Sequence, residues 1–309
     1  MSSFLLVHLG PKVPDYLGDC IGQIRSFNPD TPIILVIDQT GPPMSDLAAR
    51  YNVQLFDVGD HPRSEVLVAY DQLSRNSRTW RDGFNFYAMQ RFFHIESAMR
   101  SLGLSNVIHL EYDNTIYFEI NSLMVTLDRH FEQLGLVLDN DGRCIPGIVY
   151  IADSKAILNF TQWYVENCLG TVDNDMSALA LYRWKKLGKG PQLPLVFPGM
   201  LPRFGTRFAM DGSRARKVMN YEALATEFGG IFDAAAIGQY LGGVDPRNQT
   251  GDTRGFLNEA CIFSPEKLEV VWLKDEAGRR KPFVRLGSGP LWQVLNLHVH
   301  SKDLKPFLS

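Results

Sequence analysis

Apolar residues in the first third of the chain come in unbroken runs separated by amphipathic stretches. Phe4-Leu5-Leu6-Val7-His8-Leu9 reads as a strand stopped by Gly10, Pro32 through Asp38 as a second strand, and Val53 through Val58 as a third. Runs without alternation belong to strands covered on both faces, which is the habit of a parallel sheet. Between them, Pro14-Asp15 opens a helix over 14–27, and Ser45 caps a helix that continues to about Tyr51. The order is that of successive βαβ units.

Residues 84–102 form a strongly apolar helix stopped by Gly103, followed by a strand over 106–114 that ends in acidic residues. In an open α/β sheet, ligands bind outside the carboxyl ends of the strands, so this acidic tip stands where chemistry is expected. The pattern then predicts a helix over 121–133, a strand over 147–151, and helices over 154–167 and 175–187. The last third is less regular. It offers a strand over 194–198, a basic loop over 203–218, a helix beginning at Asp233, and two strands over 268–273 and 282–285 around the turn Asp275-Glu276-Ala277-Gly278. Leu295 through Lys302 alternates as a strand, which puts His298 and His300 on one side. No internal repeat or linker interrupts the 309 residues, so the chain reads as one α/β domain around a mostly parallel sheet.

Composition narrows the chemistry. A chain of this length that is 45% hydrophobic buries a core without a scaffolding metal, so any metal here is catalytic before it is structural. Lys and Arg number 31 against 34 Asp and Glu, with no long run of one sign, which excludes a nucleic-acid binder that works by a basic surface. The clusters Arg214-Ala215-Arg216-Lys217 and Arg279-Arg280-Lys281 are short and read as solvated. Cys20, Cys144, Cys168 and Cys261 lie far apart with no CxxC pair, which fits a reducing compartment. The N-terminal apolar run is too short for a signal peptide, and no stretch approaches the roughly 20 apolar residues of a membrane span. The expected location is cytoplasmic, and the sequons at Asn159 and Asn248 are then chance matches.

Two motifs carry chemistry. Glu111 and Asp113, two apart at a strand end, present carboxylate oxygens suited to a hard cation, although acidic residues also close strands simply because turns are solvated. His298 and His300 add imidazoles suited to Mn²⁺ or Zn²⁺, with Lys302 close by to meet a phosphate; the plain reading of that pair is surface histidines on an edge strand.

Taken together, an acidic triplet near residue 110 and a late histidine followed by lysine resemble the GT-A nucleotide-sugar glycosyltransferases, among them the glycogenin-like families. The resemblance implies a Rossmann-like three-layer α/β/α sandwich with a nucleotide-binding half over 1–120 and an acceptor-binding half over 121–309. Glu111 and Asp113 match the triplet, with Glu where the first Asp is usual. His298 or His300 matches the late histidine, and Lys302 or Lys305 the lysine after it. The implied metal is Mn²⁺ or Mg²⁺, the donor a nucleoside-diphosphate sugar, and the acceptor a hydroxyl of a glycan or other glycoconjugate. His8, Gly10 and Asp38 fall where such enzymes receive base and ribose, and Tyr112 lies inside the triplet. Arg91 can reach sugar or diphosphate from the helix before it, or stand as an ordinary surface charge.

Two aspartates are candidates for the catalytic carboxylate. Asp175, in Val172-Asp173-Asn174-Asp175, resembles the segment that faces sugar and acceptor, and it also suits a helix cap. Asp233 opens a helix rich in Ala and Gly that leaves room for an acceptor, and it too suits a cap. Two other readings compete with a transferase. A sugar nucleotidyltransferase needs a Gly-rich basic loop after the first strand, which Leu9-Gly10-Pro11-Lys12 matches poorly, and a binding module would hold nucleotide sugar without turnover.

Overall fold

A computed structural model describes every residue except Met1, Pro11, Thr40, Lys189 and 201–220. The expected basic loop over 203–218, with Arg214 to Lys217, lies outside the described residues. The chain begins β1 (Ser3–His8), α1 (Asp15–Phe27), β2 (Ile33–Ile37), α2 (Pro42–Tyr51), β3 (Gln54–Asp57), α3 (Glu65–Leu73) and α4 (Phe84–Leu102). It continues with β4 (Ser105–Leu110), β5 (Asn114–Ile116), α5 (Ile120–His130), β6 (Leu134–Asn140), β7 (Arg143–Asp153), α6 (Ser154–Asn167) and α7 (Asp175–Tyr182). After α8 (Ala225–Phe228), β8 (Gly230–Phe232) and α9 (Ala236–Gly242), it closes with β9 (Leu268–Lys274), β10 (Arg280–Leu286) and β11 (Trp292–His298).

Six strands form the central sheet in the order β3-β2-β1-β4-β7-β6. The first four are parallel, whereas β7 and β6 join antiparallel, so the parallel part is the N-terminal portion that the apolar runs foretold. A second sheet runs β5-β11-β10-β9, with β8 beside β11. Helices α3, α4, α6 and α7 pack on one another, and α1 packs on α2 and reaches β5. Among the described residues no helix is long and apolar enough to cross a membrane, and all four cysteines are buried thiols.

Several expected elements are displaced for identifiable reasons. The strand over 106–114 is two strands in two sheets, broken at Glu111-Tyr112-Asp113. Residues 194–198 form no strand: Pro194 and Pro198 lack N–H groups, although the Pro194 carbonyl accepts from Phe232 and the Leu195 N–H donates to Tyr221. The helix expected at Asp233 begins at Ala236, and the one over 175–187 turns from α-helix to a π-turn at Arg183. Helix α2 starts at Pro42, ahead of Ser45, because proline suits the first helical position. Strand β6 is additional to those expected.

Candidate metal centre and its surroundings

The corner between the two sheets builds the centre. Where β4 ends, the Glu111 N–H donates to the Gly147 carbonyl of β7 at 3.0 Å, and the Asn114 N–H donates back to the Glu111 carbonyl at 3.1 Å. The Asn114 amide donates to Gly147 O (3.0 Å) and accepts from Asn296 of β11 (2.8 Å); both asparagines are fully buried. These bonds turn the chain so that Glu111 and Asp113 face the end of β11, where His298 pairs with Asn114. Among the described residues, Glu111, Asp113 and His298 form the cluster able to hold a metal, with their ligand atoms all within 4.8 Å of one another.

His298 is oriented from behind. Its Nδ1 lies 2.7 Å from the Ala234 carbonyl, which can only accept, so Nδ1 carries the proton and Nε2 faces the carboxylates. Nε2 stands 3.1 Å from Asp113 Oδ1 and 3.2 Å from Glu111 Oε2. Asp233 fixes the same turn: its carboxylate accepts from the N–H groups of Ile237 (2.9 Å), Gly238 (2.8 Å) and His298 (3.1 Å). Two glycines make room for this approach. A Cβ on Gly238 would fall 2.1 Å from the His298 carbonyl oxygen, and one on Gly147 would fall 2.5 Å from His298 Nδ1.

The charges are strongly coupled. Burial opposes ionisation of Glu111, yet Arg91 and His298 outweigh it and hold the carboxyl below its usual range. Asp113 is likewise held well down, against burial, by Lys302 and His298. In return the two carboxylates, opposing burial, raise His298 to about 10.

Arg91 projects from α4 with one guanidinium nitrogen on Glu111 and the other 2.7 Å from Asp175 Oδ2. Asn174, not Asp175, caps α7 by accepting from Ser177; Asp175 is the buried first residue of the helix, and burial pushes its carboxyl up. Lys302, in a left-handed backbone conformation, donates to Asp113 Oδ2 at 2.9 Å and lies over the Tyr16 ring. Asp245, which no sequence pattern marked, stands 3.9 Å from Lys302 Nζ. His300 lies beyond the end of β11 and outside the metal-capable cluster. Its Nδ1 accepts from the Gln239 amide at 2.6 Å while its ring stacks edge-on to His298. Lys305 belongs to the terminal turn over 305–307, and no contact places it at the centre.

At the exit of β1, the Gly10 N–H donates to Asp38 Oδ1 at 2.8 Å, with Gly10 at φ +111°. Tyr112 meets His8 edge-on and packs beside Tyr16, so this region adjoins the centre. Among the described residues, Nδ1 of buried His94 has no hydrogen-bond partner, and the buried His8 and His94 rings both feel the Asp38 charge. His94 gave no sequence signal because it sits inside an apolar helix.

Burial pushes His94 down to about 4. The unfolded chain therefore binds a proton near pH 6.5 that the folded chain refuses, so stability falls as pH drops from about 6.5 towards 4, by about 1.4 kcal/mol per pH unit for this group. Denaturant midpoints measured across that window should show a shallower slope in His94→Gln than in the parent chain. Equal slopes would show that His94 is not held neutral.

The donor set fits a divalent cation that accepts mixed oxygen and nitrogen ligands, with the imidazole tautomer already fixed for coordination through Nε2.

No protein-family model matches the chain, and no curated protein matches it. Solved structures with slight similarity include the PaToxG glycosyltransferase, 13% identical over 59% of this chain and 68% of that one, with a TM-score of 0.39. The apo form of mouse xyloside xylosyltransferase 1 is 11% identical over 61% of this chain and 83% of that one, with a TM-score of 0.40. A cytidylyltransferase from Leptospira borgpetersenii is 10% identical over 61% of this chain and 73% of that one, with a TM-score of 0.37. Superposition at these scores assigns no family, so the chemistry of this chain rests on its own side chains.

Proposed function

We propose that the chain is a metal-dependent glycosyltransferase that moves a sugar from a nucleoside-diphosphate donor to a hydroxyl of a glycan or glycoconjugate. The observation that carries this reading is the meeting of Glu111, Asp113 and His298 at the corner of two sheets, with Asp113 and His298 185 positions apart in the chain. In this reading the fold is the GT-A-like three-layer sandwich. Residues 1–120 bind the nucleotide and 121–309 the acceptor, and the last segment returns to complete the metal shell.

Glu111, Asp113 and His298 would hold Mn²⁺ or Mg²⁺, which when bound would supply Lewis-acid stabilisation of a departing diphosphate. Lys302 contributes a second cation beside Asp113 for an anionic donor, and Arg91 keeps Glu111 and Asp175 in fixed relation. His8, Gly10 and Asp38 receive the nucleoside, with Tyr112 as a wall. Asp175 is assigned to the sugar and acceptor side, where its burial favours taking a proton. Asp233 is a positioning residue, because its carboxylate is occupied by three backbone N–H groups and one of them belongs to His298.

His298→Ala should weaken Mn²⁺ binding beyond the roughly 10- to 100-fold typical of outer-shell changes, whereas His300→Ala should stay within about tenfold. Calorimetric titration of the two variants separates them. A larger loss from His300→Ala would exchange their roles.

A further inference from the structure

Three of the exposed large side chains are aromatic rings within eight residues of one another. Trp80 (52% exposed), Phe84 (44%) and Tyr87 (42%) cluster at the N-terminal end of α4. Positions 84, 87 and 91 share one face of the helix, so the stripe ends on Arg91. Seven residues of helix place its outer end about 10 Å from Arg91. This end of α4 lies at the carboxyl edge of the parallel strands, because the helix runs back to start β4.

The stripe is built rather than merely exposed. Arg81 and Asp82 both hold left-handed backbone conformations (φ +49° and +57°), strain of a kind that collects at ligand sites. Tyr87 lies over Gly83, where a Cβ would come within 2.7 Å of its ring. Beside them, Asn248 accepts from Arg81, and the Arg247 guanidinium stands 5.9 Å from the Phe84 ring. Arg247 pairs with Asp245, which faces Lys302, so this wall is continuous with the metal centre.

We propose that Trp80, Phe84 and Tyr87 form an outer acceptor subsite that stacks a sugar ring while the reacting hydroxyl lies further in, near Arg91 and Asp175. The inference rests on the glycosyltransferase reading. Aromatic faces interleaved with Arg81, Asp82 and Arg247 suit the C–H face and the hydroxyl rim of a pyranose.

The test is saturation-transfer NMR on the full chain with methyl glycosides and disaccharides of gluco, galacto, manno and xylo configuration. Thermal shifts with nucleoside diphosphates plus Mn²⁺ are measured in parallel. At least one disaccharide should receive saturation on its ring C–H protons, and its dissociation constant should rise tenfold or more in Trp80→Ala/Tyr87→Ala, with the nucleotide shift unchanged. Absence of saccharide binding, binding that the double variant leaves unaltered, or a concentration-dependent dimer that the variant abolishes overturns the subsite. Loss of every nucleotide shift in the parent chain alongside normal saccharide binding overturns the transferase reading and leaves the stacking surface standing.

Discussion

Asp113→Asn is expected to fold and to lose Mn²⁺-dependent release of nucleoside diphosphate by about 10³-fold, since several kcal/mol of metal-borne charge stabilisation convert at about 1.4 kcal/mol per tenfold. The amide keeps the shape of the carboxylate and removes the charge shared by His298 and Lys302, while the bond from the Val299 N–H to the Asp113 backbone carbonyl is untouched. Asp245 remains 3.9 Å from Lys302, so that cation is not left isolated. Circular dichroism establishes the fold, and a coupled assay of diphosphate release reads the activity. A folded variant with parental turnover would remove Asp113 from the metal shell.

Gly147→Ala should damage the centre without touching a ligand. The added methyl falls 2.5 Å from His298 Nδ1 and 2.9 Å from the Asn114 amide, and both neighbours are buried and hydrogen-bonded on their far sides. Overpacking of this kind costs about 1–3 kcal/mol. Turning the imidazole off the Ala234 carbonyl should weaken Mn²⁺ about 10- to 100-fold, as outer-shell changes do. Gly142→Ala is the control, because its Cβ meets nothing nearer than Asn140 Oδ1 at 3.6 Å. Thermal midpoints and Mn²⁺ titrations on the pair should differ in both readouts. Matching metal affinities would mean that His298 does not need this seat.

The parallel half of the fold is legible in the sequence because strands buried on both faces print continuous apolar runs. Strands β1 and β2 are buried throughout and follow that pattern, whereas β3 lies at the sheet edge with only Phe56 buried; helices α1, α4 and α6 stand close to their expected bounds. The corner at 111–113 is not legible. A strand that leaves one sheet to join another keeps its alternation, and the cause of the break is Asn114 bonding to Gly147 and Asn296, partners distant in the chain. Strand β6 starts at Leu134 with only residues 131–133 between it and α5, so the helix expected over 121–133 ran up to its first residue. In the last segment, alternation placed His298 and His300 together. The strand ends at His298, and what decides between them is the Ala234 carbonyl behind one ring and Gln239 beside the other. Glu111, Asp113 and Lys302 were readable by residue type and position. Asp233 was readable as a turn-stabilising acid, but its link to His298 was not, since that bond joins segments 65 positions apart.

The most direct measurement is electron paramagnetic resonance of Mn²⁺ titrated with the protein, with and without nucleoside diphosphates. One Mn²⁺ per chain should leave the free-ion signal, bind more tightly when the matching nucleoside diphosphate is present, and return to the free signal in the His298→Ala variant. A free-ion signal unchanged by the parent protein and by every nucleotide would contradict a metal-held nucleotide-sugar site at Glu111, Asp113 and His298.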